Sequence, residues 1–87
     1  MEWITIVMKI IEMFCDKDGT ATDDVLRDGI RNPSGLALRV AARKKAKQDG
    51  RSPLAWRRYT DMVIEEAARA SDADIDEVIK TYRKGKQ

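Results

Sequence analysis

The chain of 87 residues has no histidine, one cysteine, one phenylalanine and two prolines. Without an imidazole it lacks the usual general base, the usual member of a catalytic triad and the commonest zinc ligand. One cysteine allows neither an internal disulfide nor a thiolate metal cluster. That residue, Cys15, sits in an apolar run with no histidine to activate it, and it reads as a buried, inert thiol. Enzymatic function, a cofactor and a bound metal are therefore not expected. Long apolar runs are missing too. The first one begins after Glu2 and is broken by Lys9 and Glu12, which argues against an export signal and against membrane partners. Together with the absence of paired cysteines, this predicts a cytoplasmic setting.

Hydrophobic residues make up 43 % and charged residues 37 %, too apolar for a disordered tail and too charged for a membrane span. The length fits one small domain, 1–87, that buries only about 60 to 65 % of the surface its unfolded chain exposes. A core this thin makes self-association a natural expectation.

No segment alternates with the period of a strand, and apolar spacing with end signals predicts an all-α bundle of five short helices. The first runs from Trp3 to Cys15, and its apolar side chains cover an arc about twice the stripe of roughly 100° that one core contact needs. Such a helix is either wrapped by the others or shared with a second copy of the chain. Four short helices can hardly surround it, so a homodimer is favoured, with Trp3, Ile6, Val7, Ile10, Met13 and Phe14 at the interface.

Asp16-Lys-Asp-Gly invites a calcium reading and fails it. With Asp16 as the first loop position, Ala21 stands where glycine is required and Arg27 where the bidentate glutamate belongs. A turn into a second helix is the better account, with Thr22 as N-cap, Asp23 and Asp24 in the first turn, and Val25, Leu26 and Ile30 facing the core up to Arg31. Gly29 weakens its last turn. Asn32-Pro33 and Ser52-Pro53 repeat one device, a capping side chain followed by proline at the first helical position, and start the third helix (33–48) and the fourth (53–70). The fourth has an inner stripe of Trp56, Tyr59, Val63, Ala67 and Ala70, and an outer face with Arg58, Asp61, Glu65 and Arg69. The fifth starts at Ser71 or Asp72, turns Ile75, Val78, Ile79 and Tyr82 inward and stops at Gly85, after which residues 85–87 fray.

Charge is distributed unevenly. Segments 1–38, 39–58, 59–77 and 78–87 carry −3, +7, −6 and +4, a strong polarity behind a net charge of only +2. The basic stretch holds Arg39, Arg43, Lys44, Lys45, Lys47, Arg51, Arg57 and Arg58 against Asp49. Such a cluster supplies the phosphate attraction behind most non-specific nucleic-acid binding. Of these, Arg39, Arg43, Lys44, Lys47, Arg51, Arg57 and Arg58 are the candidate contacts, and the bland alternative is a solvated face or one docked on the acidic 59–77 segment. Residues 22–48 have room for a helix-turn-helix with the third helix as reader. Its first residues, Ser34 to Leu38, are poor in side chains that recognise bases, so backbone contacts should dominate.

The stretch from Thr20 to Ala46 contains Thr22-Asp-Asp-Val, the Asn32-Pro33 turn and a following helix with Ala41-Ala-Arg. In these residues it resembles small phage and prophage proteins of winged-helix type. The resemblance implies a DNA-binding regulator in phage replication or regulation. After Gly50 that family places a β-wing, where this chain has its proline-started helix.

The alternative function is a protein-protein module, such as a phage-encoded inhibitor of a host nucleic-acid-binding machine. It would present Asp61, Glu65, Glu66, Asp72, Asp74, Asp76 and Glu77 to a basic partner. Met8, Met13 and Met62 with Trp3 and Trp56 suit core filling better than a plastic binding surface. Adjacent carboxylates such as Asp23 and Asp24 point to different sides of a helix, which suits caps rather than acid-base work.

Overall fold

A computed structural model describes residues 2–86. The chain forms α1 (Glu2–Ile10) continued by a π-helical turn (Ile11–Cys15), α2 (Asp23–Arg31), α3 (Gly35–Gln48), a 3-10 turn (Pro53–Ala55), α4 (Trp56–Arg69) and α5 (Asp72–Lys84). Among the described residues there is no strand, so the all-α expectation holds and no β-wing follows Gly50. No helix among them is long and apolar enough to cross a membrane.

The core is built around α1. Trp3, Ile6, Val7, Ile10 and Ile11 are all buried, enclosed by α3 and α4 with smaller contributions from α2 and α5. This corrects the expected dimer interface, because Trp3, Ile6, Val7 and Ile10 are already covered by their own chain. Only Met13, half-buried, and Phe14, exposed, keep surface a second copy might touch. Four short helices do surround the first because α3 presents small residues. Ala37, Ala41, Ala42 and Ala46 are buried at helical spacing and let the α3 backbone approach α1 and α4 closely. The radius of gyration, 12.2 Å, matches the value of about 12 Å for a compact chain of this length.

The first helix does not stay α-helical to Cys15. At Ile11 it widens into a π turn closed by the bond from Asp16 N–H to the Ile11 carbonyl at 2.8 Å. The widened turn keeps Ile10 and Ile11 both buried and leaves Phe14 outside.

Caps follow the sequence with one correction. Thr22 caps α2 through Val25 N–H, Ser52 caps the 3-10 turn through Leu54 N–H, and Ser71 with Asp74 forms a reciprocal capping box on α5. At α3 the cap is Ser34, whose hydroxyl accepts from Ala37 N–H, rather than Asn32. Asn32 instead closes α2, its backbone N–H bonding the Asp28 carbonyl and its amide the Asp28 carboxylate. Val25, expected inside, is 47 % exposed. Gly85 and Lys86, expected to fray, bond back to Thr81 and Arg83, and Lys86 pairs with Glu12; Gln87 lies outside the described residues.

Two chain-distant clamps fix the first loop. Asp16, buried, accepts from Tyr82 O–H at 2.7 Å and from Ala21 N–H at 2.8 Å. Arg83 grips the same loop through Asp23 and the Ala21 carbonyl.

Candidate nucleic-acid interface

The basic residues come from two elements that pack on each other. Leu38, Ala42 and Ala46 turn one side of α3 into the core, which leaves Arg39, Arg43, Lys44 and Lys47 on its solvent side. The close α3·α4 packing then sets the start of α4, with Trp56, Arg57 and Arg58, beside α3. All seven candidate cations, Arg39, Arg43, Lys44, Lys47, Arg51, Arg57 and Arg58, are exposed.

Trp56 ties the two elements together. The Arg39 guanidinium lies 5.0 Å from its ring centroid and that of Arg57 lies 5.4 Å away, both within cation-π range. A half-buried indole therefore orders two guanidiniums that would otherwise swing freely.

The acidic segment does not neutralise this face. Among the described residues no ion pair reaches any of the seven cations. Five of the seven acids of 59–77 are engaged elsewhere: Asp72 with Arg31 and Asp76 with Arg27, both on α2, Asp74 in its cap, Glu65 with Arg69 and Glu77 with Lys80. The basic helix does pack on α4, which carries the first half of the acidic segment, but it does so through buried side chains such as Ala42, Ala46, Tyr59 and Val63 and not through ion pairs of the seven cations. Lys45 leaves the cluster, because it pairs with Asp49 at 2.6 Å. Hydrogen bonds from Lys45 and Tyr59 hold the Asp49 carboxyl below its usual range, helped by the charges of Lys45 and Arg51. The Lys44 ammonium lies 3.4 Å from the Met13 sulfur.

Arg57 and Arg58 follow the Ser52-capped 3-10 turn at the start of α4, a start that carries no acid, unlike the first turns of α2 and α5.

The helix pair proposed as a helix-turn-helix is sequential, joined by Asn32, Pro33 and Ser34. Its members pack mainly on other partners, α2 on α5 and the π turn, and α3 on α4 and α1. Cys15, half-buried, has its thiol pushed up by burial and by the nearby Asp28 and Asp16 charges, which keeps it protonated and unreactive. Among the described residues no group of three or more acids or cysteines is placed to hold a metal.

Sequence reasoning missed the apolar part of this surface. Leu36, Leu54 and Ile64 are 66 %, 80 % and 53 % exposed, and two of them line a groove of about 430 Å³ beside Arg39 and Trp56. A leucine at the solvent edge of a proline- or serine-capped turn was the available signal. Comparison of the chain with protein-family profiles, with curated proteins and with solved structures found no match.

Proposed function

We propose that this protein binds nucleic acid, mainly through backbone phosphates, by the face formed by Arg39, Arg43, Lys44, Lys47, Arg51, Arg57 and Arg58. The observation that carries the reading is that these seven cations are exposed and that, among the described residues, none lies within ion-pair distance of a carboxylate, Arg51 acting on Asp49 only through its charge. A fold that pairs its other arginines so consistently leaves this group for an external anion. The phosphate-facing residues lie on the middle and end of α3 and the start of α4, not at the first turn of α3, so sequence readout is weak. A regulatory role of phage or mobile-element type rests on the sequence likeness of residues 20–50 alone. A homodimer would need a surface other than the buried part of α1, such as the exposed Phe14 and Val25 or the exposed Leu36, Leu54 and Ile64.

Salt titration tests the proposal. Affinity for mixed-sequence nucleic acid should fall steeply between low and moderate salt, and affinity that barely changes overturns it. Replacing Arg39, Arg43 and Lys47 by alanine should weaken binding to every sequence and reduce the magnitude of the log-log salt slope by about 2 to 3.

One observation favours the protein-protein reading. A groove of about 510 Å³ between α1, α4 and α5 has Trp3, Ile4 and Val78 with Glu66, Asp74 and Glu77 against a single Arg69 around it, an acidic balance that suits a basic apolar segment. Reversing Glu66 and Glu77 to lysine separates the readings. A protein module loses its partner, whereas a nucleic-acid binder keeps its affinity.

A further inference from the structure

Resting on the nucleic-acid reading, we infer that the preferred ligand is single-stranded, with an unpaired base seated in the apolar groove between α3 and α4. The groove is lined by Leu36, Leu38, Arg39, Trp56, Thr60 and Ile64, and no carboxylate lines it. Its volume of about 430 Å³ falls within the range of sites that take small flat molecules. Leu36 and Ile64 stand mostly in solvent on its rim. Arg39 and Arg57, ordered by the Trp56 ring, put cations at the edge of this apolar floor.

An apolar floor with a cationic edge matches a ligand whose flat apolar groups hang from an anionic backbone. Single strands present both, whereas a duplex hides its base faces in the stack and offers phosphates and groove edges. The α3 start opposes duplex reading on its own account. Ser34, Gly35, Leu36, Ala37 and Leu38 carry no side chain that bridges two atoms of a base edge. A single strand needs no such side chain, because stacking on apolar and aromatic groups tolerates any base. The charge complementarity comes from the absence of carboxylates in the groove together with the unpaired cations around it.

The experiment compares the intact protein with the double variant Leu36→Ser and Ile64→Ser, both surface changes, with circular dichroism to verify the fold. Fluorescence anisotropy reads binding to a labelled 12-nucleotide oligothymidine and to a 12-base-pair duplex at several salt concentrations. Oligothymidine should bind at least ~10-fold tighter than the duplex. The double variant should lose about 10-fold for the single strand, with its salt slope and duplex affinity unchanged, because stacking contacts release no counterions. Equal or tighter duplex binding overturns the inference and leaves the phosphate face intact. So does single-strand affinity unaffected by the two substitutions. Salt-insensitive binding, or none, overturns the nucleic-acid reading itself. Capture of an acidic amphipathic helical peptide through Leu36 and Ile64, with oligothymidine bound equally by both proteins, assigns the groove to a protein partner and overturns the inference too.

Discussion

Tyr82 and Asp16 make a buried hydrogen bond that joins positions 66 residues apart. The pair titrates in opposite directions. The Tyr82 hydroxyl and Ala21 N–H hold the Asp16 carboxyl below its usual range, while burial and the Asp16 hydrogen bond push Tyr82 up to about 12. The Asp16 contribution is present above the ordinary aspartate range and is lost as pH falls through its lowered value. The Tyr82 contribution is full below about 10 and is lost as pH rises toward about 12. Urea midpoints followed against pH should therefore decline at both ends. Tyr82→Phe should lower the plateau and flatten both declines, the one between pH 10 and 12 because the phenol is gone and the acid one because Asp16 loses the main bond that holds its carboxyl down. At Gly29 two effects of opposite sign meet. Alanine should gain about 1 kcal/mol of helix propensity, but its Cβ would collide with the Cys15 sulfur, and overpacking costs about 1 to 3 kcal/mol. Gly29→Ala should thus destabilise the wild type, yet stabilise a Cys15→Ala background, as read by chemical denaturation.

Among the elements, α4 depends on a residue outside itself. Arg31 of α2 donates to the Ala67 and Ala70 carbonyls at 2.9 and 2.8 Å and to Asp72 at 2.9 Å, closing the end of α4 and the turn into α5. Arg31→Ala should cost about 1.5 to 3 kcal/mol in urea unfolding, and lysine should rescue little, because it cannot span two carbonyls and a carboxylate. The inner stripes of α4 and α5 were legible in the sequence because their apolar spacing is regular. The caps at Thr22 and Ser52 were legible because a single hydroxyl directly precedes each helix, whereas at the fifth helix the sequence left Ser71 and Asp72 open and the capping box with Asp74 decides for Ser71. Asn32 and Ser34 were not distinguishable that way, as either can cap and only the α2 end decides. The surroundings of α1 were not legible either. Whether an apolar arc is wrapped or shared depends on how closely α3 approaches, a property of the alanines at 37, 41, 42 and 46 taken together. The basic face could be read as charge; its lack of internal partners could not, since that depends on where Arg27 and Arg31 draw the acids.

For the molecule as a whole, enclosure of α1 makes self-association unnecessary. The free protein should sediment as a 9.9 kDa monomer. Ile6→Ala should cost about 2 to 5 kcal/mol, with no dependence on protein concentration, as expected for a cavity inside one chain and not for a broken interface. The charge separation persists in the fold. One face keeps cations out of ion-pair reach of any carboxylate among the described residues, while Asp72 and Asp76 pair with arginines of α2, so neutralising Arg43, Lys47 or Arg58 should spare stability, whereas neutralising Arg39 or Arg57 should cost about 0.5 to 1 kcal/mol each through Trp56.

The central position of α1 also bears on synthesis. It is the first of these helices to be made, and its cover arrives piece by piece with α3, α4 and finally Tyr82 of α5. At about 5 to 20 residues per second, the isoleucine-rich segment stays bare for on the order of 10 s while the rest is translated. During that interval the nascent chain displays the sort of surface that chaperones hold and that aggregates recruit. Codon choice downstream of α1 should therefore influence soluble yield more than codon choice within it.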